Sequence, residues 1–193
     1  MEKVQQKKDL RKQIRQLKAS ADIGAIDKMS LSIQIKLLEM EEVSSAGTIL
    51  LYHSLPDEVS TKLLLEKLSN KLSGNKRIVL PVVEGDNLVL KEYVPNELNV
   101  GYRNILEPCS DIIVSPCDID LAIIPGVAFD SNCNRMGRGK GFYDRLLPNL
   151  RCKTIGLAFS FQMVHEIPCE PFDCPLDMVV TDTGIYCAPL RLV

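Results

Sequence analysis

Short apolar runs recur along this 193-residue chain, and they constrain its fold more than any other feature of the sequence. They lie at 47–54, 77–83, 119–130, 153–160 and 177–182. The first, GTILLYHS, is a near-continuous apolar run with strand-favouring residues, as expected of a strand buried on both faces of a sheet. We expect a further strand at 87–94 and a short edge strand at 184–187.

Helical patterns separate these runs. Residues 3–20 carry three apolar residues at helical spacing among Lys, Arg and Gln, and a second helix is predicted over 27–43. Residues 56–72 begin with Pro and acids, end in basic residues and are followed by a glycine, which are the start and stop signals of a helix. A further helix is predicted to begin near Lys140, and Pro148 would end or bend it early.

Strands that alternate with helices predict an α/β protein. We expect a three-layer α/β/α sandwich around a mostly parallel, Rossmann-like sheet, preceded by an N-terminal helical segment. The pattern predicts one domain over residues 1–193. The region 95–118 contains three prolines and is expected to be loop-rich, with a small excursion from the sheet.

The composition argues against a nucleic-acid or membrane partner. The net charge is −2, and the longest apolar stretches fall well short of the ~20 residues that span a bilayer. The N-terminus is charged from its second residue, so we expect no secretory signal. The seven cysteines include no C-x-x-C pair and indicate free thiols rather than a zinc site or a disulfide framework. We therefore expect a cytoplasmic monomer.

The stretch NRMGRGKGFYD, residues 134–144, carries three glycines and three cations in a mildly acidic chain. It lies between a predicted strand and a predicted helix, where ligands bind in open α/β sheets. Glycines let backbone N–H groups approach a phosphate, and Arg and Lys neutralise its charge. The stretch matches neither the Walker A motif nor G-x-G-x-x-G. It indicates a phosphate site, and a flexible solvated turn with incidental charges is the alternative.

Asp144 ends this stretch, four residues after Lys140. A carboxylate beside a phosphate site often carries Mg²⁺, the ion that accompanies ATP. An ion pair with Lys140 across one helical turn explains the same spacing equally well.

Three segments resemble those of a known family. PGVAFDSNCNRMGRGKGFYDRLL, residues 125–147, is similar to the signature segment of the 5-formyltetrahydrofolate cyclo-ligases, also called 5,10-methenyltetrahydrofolate synthetases. KKDLR resembles the family's Lys-x-x-x-Arg element, with Lys7 and Arg11 in the two positions. YHSLPDEVST resembles the strand-to-helix junction that carries a substrate-binding glutamate, here Glu58. The segments follow the family's order over nearly the whole chain.

The resemblance implies an enzyme that converts ATP and 5-formyltetrahydrofolate to 5,10-methenyltetrahydrofolate, ADP and phosphate, with Mg²⁺. The formyl oxygen would take the γ-phosphate to give an imino-phosphate, and N10 would then close the ring and expel phosphate. The protein's share would be mainly positioning and charge stabilisation.

The resemblance also implies which residues form the site. Arg138 and Lys140 would be catalytic. ATP would contact Lys7, Arg11, Arg135, Met136, Gly137, Arg138, Gly139, Lys140, Gly141, Phe142 and Tyr143. The folate would contact His53, Glu58, Arg138 and Phe142. Mg²⁺ would be held by Asp144 and Asp177.

Other interpretations of these residues stay open. Lys7 and Arg11 also fit a solvated basic helix face, and Asp57 and Glu58, expected in the first turn of a helix, are favourable there through the macrodipole alone. Phe142 is explained as well by packing. A different ATP- or phosphate-using enzyme, such as a kinase or a sugar-phosphate isomerase, is one rival function. A non-enzymatic RNA-binding module is another, although an aromatic content of 5% without Trp argues against it.

Overall fold

The computed structural model describes residues 2–70, 76–101, 105–170 and 173–189. In chain order its strands are β1 (Thr48–Leu50), β2 (Arg77–Glu84), β3 (Asn87–Glu92), β4 (Leu98–Val100), β5 (Leu106–Pro108), β6 (Leu121–Pro125), β7 (Ala128–Phe129), β8 (Arg135–Met136), β9 (Lys153–Ala158), β10 (Met178–Thr181) and β11 (Ile185–Cys187). Seven of them form one sheet in the order β11-β10-β9-β6-β1-β2-β3, and β4 with β5 and β7 with β8 form two small hairpins.

The sheet winds in two directions from β1. Strands β10, β9, β6, β1 and β2 are parallel, and the edge strands β11 and β3 pair antiparallel, as predicted for a mostly parallel sheet with an edge strand at 184–187. The chain runs from β1 to β2 on one side and later returns to β6 on the other. The topological switch point therefore lies between β1 and β6, and the crevice at their carboxyl ends is where such a sheet binds ligands.

The helices are α1 (Glu2–Ser20), α2 (Ile23–Leu38), α3 (Glu41–Ser45), α4 (Lys62–Leu68) and α5 (Phe142–Leu146), with 3₁₀ turns at Pro116–Asp118, Leu147–Asn149 and Ser160–Gln162. The N-terminal helical segment is confirmed. The helix predicted over 27–43 is wrong in its bounds, because it consists of α2 and α3. The Asp22 carboxylate accepts the backbone N–H of Ala25 and so starts α2 earlier than predicted. In the described ranges, no helix is both long and apolar enough to cross a membrane.

Alternating residues of the central strands build a core on each face of the sheet. Ile49 and Ile123 pack in one cluster with apolar residues of α2 and α4. Their neighbours Leu50 and Ile124 pack on the other face with Phe129 and the apolar residues of the α5 region. The three-layer α/β/α arrangement is confirmed, and β1 and β6 lie between its two helical layers.

The helix predicted over 56–72 is shorter than expected. Its described part, α4, begins only at Lys62, and residues 71–75, where its end was predicted, lie outside the described residues. Residues 54–61 form a loop instead. Asp57 and Glu58 are therefore not in the first turn of a helix, so the macrodipole does not explain them.

Gly156 of β9 lies under the ring of Phe129, and we expect Gly156→Ala to destabilise the fold. A methyl group there would come within 2.7 Å of Phe129 Cε1 and 2.9 Å of Leu176 Cδ1, and both side chains are fully buried. Overpacking of this kind costs about 1–3 kcal/mol of unfolding free energy. Gly184→Ala is the control, because its methyl group meets nothing within 4 Å. Urea denaturation of both variants measures the difference, and equal stabilities would contradict the packing described.

Candidate active site

A pocket opens at the carboxyl ends of β1 and β6, at the switch point of the sheet. Tyr52, His53 and Glu58 line it from the segment after β1. The segment after β6 contributes Pro125, Gly126 and most of the stretch from Arg135 to Asp144. The structure thus brings the predicted folate residues to the stretch of residues 134–144, which we call the glycine-basic loop, or the loop.

The turn that leads into the loop is held by a buried carboxylate. Asp130 is fully buried, and its two oxygens accept hydrogen bonds from the backbone N–H groups of Asn132, Asn134 and Ile167 and from the Asn134 amide. These bonds close the turn between β7 and β8 and fix where Arg135 begins. Asp130 was not among the predicted site residues, although Asp-Ser-Asn is a recognisable side-chain-stabilised turn.

Two of the loop glycines have backbone angles that favour glycine. Gly139 has a φ of 94° and Gly141 a φ of 70°, and Gly141 directly precedes α5. The predicted helix after the loop is confirmed but short, since α5 has five residues and continues only as a 3₁₀ turn that contains Pro148. Backbone N–H groups and side-chain cations, rather than a long helix dipole, therefore supply the positive potential of the loop.

The buried side chain of Arg135 connects the end of the loop, at Asp144, to the end of β6, at Pro125. Its side chain is 3% exposed, Nη2 donates to the Asp144 carboxylate, and Nη1 donates to the Pro125 carbonyl at 3.3 Å. The guanidinium also lies 5.5 Å from the ring centre of Tyr143. The predicted partner of Asp144, Lys140, is not the one found, because Arg135 takes this carboxylate.

Met136 does not reach the pocket. Its side chain is buried in a cluster with Ile14, Ala128 and Ile167, and its carbonyl accepts the backbone N–H of Val127. The prediction that Met136 contacts ATP is therefore not supported, since both its side chain and its carbonyl are used by the fold.

The two carboxylates predicted to hold Mg²⁺ lie apart. Asp144 lines the pocket, whereas Asp177 precedes β10 and accepts the backbone N–H and the hydroxyl of Thr154 at the start of β9, each at 2.8 Å. Thr154 is paired with Ala122, three residues before the carboxyl end of β6, and β10 is two strands away from β6. The structure therefore does not bring Asp177 to the pocket that Asp144 lines. Asp144 alone is retained.

Arg138 joins the loop to the segment after β1. Its Nη2 donates to Asp57 Oδ1 at 2.6 Å and to Glu58 Oε1 at 3.0 Å, and Nε donates to the same Glu58 oxygen at 3.1 Å. The other Glu58 oxygen accepts the Leu55 backbone N–H at 3.0 Å. The Glu58 side chain is only 10% exposed, and these donors supply the hydrogen bonds that its buried carboxylate needs.

Lys140 also lines the pocket and is exposed. It forms no ion pair with any residue that the structure describes. Phe142 and Tyr143 follow it into the pocket wall, and Arg145 lies 5.6 Å from the centre of the Phe142 ring. Burial raises the pKa of Tyr143 far above its ordinary value, so its phenol stays neutral at physiological pH.

The two basic residues of α1 that were predicted to contact ATP take different positions. Arg11 Nε donates to the Gly137 carbonyl at 2.9 Å, so this residue reaches the loop. Lys7 instead pairs with Asp173 at 2.6 Å and Glu170 at 3.1 Å, and it does not line the pocket. Burial lowers the pKa of Lys7, but its bonds to the two acids outweigh this effect and raise it above the ordinary value. The predicted contact of Lys7 with ATP is therefore not supported by its position.

An apolar wall, which the sequence analysis missed, closes the other side of the pocket. It is formed by Leu55, Pro81, Val83, Leu88 and Ile105. The signal for it was the presence of partly exposed apolar residues in these two strands, at Pro81 and Val83 of β2 and at Leu88 of β3. The excursion predicted within 95–118 contains the β4–β5 hairpin and contributes Ile105 and Glu107.

The pocket encloses about 140 Å³, below the ~300 Å³ of typical ligand sites, so a larger ligand must extend past its mouth.

The imidazole of His53 gives the protein a pH dependence that can be measured. Burial lowers the pKa of His53 below its ordinary value of 6.5. Between these two values the unfolded chain binds the proton and the folded protein does not, so the unfolding free energy falls as the pH falls below about 6.5. We expect the melting temperature to drop more between pH 7.5 and 5.5 for the wild type than for His53→Gln. An equal drop in both proteins would contradict this environment of His53.

Proteins of known sequence resemble this chain over nearly its full length. The family model described as the 5-formyltetrahydrofolate cyclo-ligase family matches residues 3–182. A 5-formyltetrahydrofolate cyclo-ligase of Haemophilus influenzae is 32% identical over 181 residues, which cover 89% of this chain and 95% of that protein. One of Escherichia coli is 31% identical over 182 residues, which cover 90% and 98% of the two proteins.

Solved structures agree with the sequence matches. The 5,10-methenyltetrahydrofolate synthetase of Aquifex aeolicus superposes with a TM-score of 0.86 at 31% identity, covering 97% of this chain and 95% of that one. That of Mycoplasma pneumoniae gives a TM-score of 0.74 at 29% identity, covering 91% and 98%. The resemblance noted for residues 125–147 is thus confirmed. The chain belongs to the 5-formyltetrahydrofolate cyclo-ligase family of carbon–nitrogen ligases.

Proposed function

We propose that this protein cyclises 5-formyltetrahydrofolate to 5,10-methenyltetrahydrofolate with ATP as the co-substrate. The observation that carries the proposal is the pocket that His53 and Glu58 line together with the loop, where Arg138 bonds the loop to Glu58. Its apolar wall suits a flat heterocycle, and Glu58 offers a carboxylate to ring N–H groups. The glycines and cations of the loop suit the phosphates of ATP.

The reaction we propose has two steps. The formyl oxygen attacks the γ-phosphorus of ATP, so that an O–P bond forms and the bond to the β-phosphate oxygen breaks, releasing ADP. N10 then attacks the formyl carbon of the imino-phosphate, the carbon–oxygen bond breaks, and phosphate leaves as N10 loses its proton. Phosphorylation turns a poor leaving group into a good one, and the protein aligns the reacting atoms.

The cations beside the pocket would have distinct roles. Lys140 carries a charge that no described carboxylate neutralises, so it is available to the transferred phosphoryl group. Arg138 is held by Glu58 at the boundary between the folate side and the loop, where it would also contact an incoming phosphate. Arg11 supports the loop from outside through the Gly137 carbonyl.

A divalent metal fits the site only in a limited way. Asp144 is the retained candidate ligand, and the described residues contain no cluster of three or more His, Cys, Asp or Glu side chains arranged for a metal. Mg²⁺ in nucleotide sites often takes one or two carboxylates and completes its shell with phosphates and water, so a single Asp is compatible. Mg²⁺ would neutralise phosphate charge when bound with ATP. Asp144 would contribute its oxygen that does not accept from Arg135.

The proposal is tested by following the absorbance of the methenyl product at neutral pH. We expect growth of that band with protein, 5-formyltetrahydrofolate, ATP and Mg²⁺, and one ADP released per product formed. Leaving out ATP, or chelating the metal, should stop it, and a mixture without protein corrects for spontaneous cyclisation. A protein that binds ATP but gives no product would refute the folate assignment, and a rate independent of ATP would refute the phosphoryl step.

A further inference from the structure

The last turn of α1 lies against the segment after β1 and buries a lysine there. The Lys18 side chain is 10% exposed, and its ammonium donates to the Asp57 carbonyl and lies 3.9 Å from the Asp57 carboxylate. Neighbouring Ala19 and Ser20 are exposed. A lysine is rarely buried unless its charge is paired, and Asp57 is the residue that pairs with Lys18 here.

Asp57 connects this lysine to the loop. Its Oδ1 accepts the Arg138 Nη2 at 2.6 Å, while Lys18 lies on the side of Oδ2. Glu58 takes Nε and Nη2 of the same guanidinium. Two cations and two carboxylates therefore form a neutral quartet, Lys18–Asp57–Arg138–Glu58, which spans from α1 to the pocket.

The quartet fixes the orientation of the Arg138 guanidinium. The described hydrogen bonds use its Nε and Nη2 edge, so the N–H groups of Nη1 remain for a ligand, and the side chain is 34% exposed toward the pocket. A flexible arginine loses rotamer freedom when it binds an anion, and a guanidinium already held in place loses less. Preorganisation of this kind strengthens binding without any new contact to the ligand.

The pKa shifts of Lys18 and Asp57 agree with this arrangement. Burial lowers the pKa of Lys18, and the nearby carboxylate of Asp57 opposes this effect without fully cancelling it. Burial raises the pKa of Asp57, but Arg138 and Lys18 outweigh it and bring it below the ordinary value. The Asp57 carboxylate is therefore kept ionised, and its charge is what holds Arg138.

We propose that Lys18 and Asp57 are positioning residues, which hold Arg138 in the orientation that receives the phosphate chain of the nucleotide. The inference rests on the proposed function in that it takes ATP as the ligand of the loop. Neither residue touches the ligand, and both act through Arg138.

A double-mutant cycle separates this role from a purely structural one. Lys18→Met, Arg138→Met and the double variant are compared with the wild type as full-length proteins, by calorimetric titration with the ATP analogue AMP-PNP and Mg²⁺. We expect Lys18→Met to weaken binding about tenfold in the wild type and less than about twofold in the Arg138→Met protein. Lys18→Arg should restore most of the affinity. Lys12→Met, which removes an exposed lysine of the same helix, should leave it unchanged.

Each outcome decides the proposal. Equal losses of affinity from Lys18→Met in both backgrounds would overturn it, because Lys18 would then act without Arg138. No loss in the wild-type background would also overturn it, because Lys18 would then have no part in nucleotide binding. If Lys18→Met does not fold, Asp57→Asn takes its place in the same cycle, since it keeps the side-chain shape and removes the charge. A wild-type protein that fails to bind AMP-PNP overturns the inference. One that binds it but forms no methenyl product refutes only the proposed function, and the binding cycle still judges Lys18.

Discussion

Lys140→Met is expected to lower kcat for methenyl formation by a factor of about 10²–10³, the loss seen when one preorganised donor to a developing charge is removed. Lys140 lines the pocket, is exposed, and neutralises no described carboxylate. Its removal therefore leaves no buried charge without a partner. The unfolding free energy should stay within about 0.5 kcal/mol of the wild type.

Steady-state kinetics with urea denaturation on the same samples measures both effects. Lys28→Met, on the exposed surface of α2, is the matched control and should change neither quantity. Lys140→Arg should recover part of the rate, because it keeps the charge but changes its geometry. A Lys140→Met protein with full kcat would mean that the transferred phosphoryl group is stabilised elsewhere.

Glu58→Gln is expected to raise the KM for 5-formyltetrahydrofolate about 100-fold, in line with truncation of one partner of a buried charged pair. The substitution keeps the size of the side chain and can still accept the Leu55 N–H, but it removes the charge that faces Arg138. The carboxylate is also the acceptor that we propose for the ring N–H groups of the folate. The loss of this acceptor acts on the folate side of the pocket, whereas the weaker hold on Arg138 acts on the nucleotide side.

The experiment compares the KM values for the two substrates. Glu66→Gln, on the exposed face of α4, is the control and should behave as the wild type. A Glu58→Gln protein whose KM for ATP rises while that for the folate stays constant would contradict the assignment of Glu58 to the folate. It would instead indicate that Glu58 serves only to hold Arg138.

The sheet was predictable because its signal is local. A strand buried on both faces must be apolar at successive positions, and β1, β6, β9 and β10 all show this pattern. The loop found where a helix was predicted from residue 56 could not be predicted in this way. Side chains there form hydrogen bonds with backbone groups and so compete with the bonds of a helix. Thr61 Oγ1 donates to the Tyr52 carbonyl, Tyr52 donates to the Val59 carbonyl, and Glu58 accepts the Leu55 N–H. These bonds hold residues 54–61 as a loop.

The site was predictable only where its residues are close in sequence. The glycine-basic loop forms one wall of the pocket as expected, because its glycines and cations are contiguous in sequence and Gly139 and Gly141 permit its left-handed backbone. Lys7 and Asp177 depended on distant partners. Lys7 forms ion pairs with Asp173 and Glu170, and Asp177 accepts a hydrogen bond from Thr154. No spacing in the sequence predicts these pairs.

The most direct test of the account follows the formyl oxygen itself. 5-Formyltetrahydrofolate labelled with ¹⁸O in the formyl group is incubated with the protein, ATP and Mg²⁺, and the released phosphate is analysed by mass spectrometry. We expect one ¹⁸O atom in each phosphate released, because the oxygen that attacks phosphorus leaves with it. Unlabelled phosphate, formed together with methenyl product, would contradict it, since ATP would then be hydrolysed without activating the formyl oxygen.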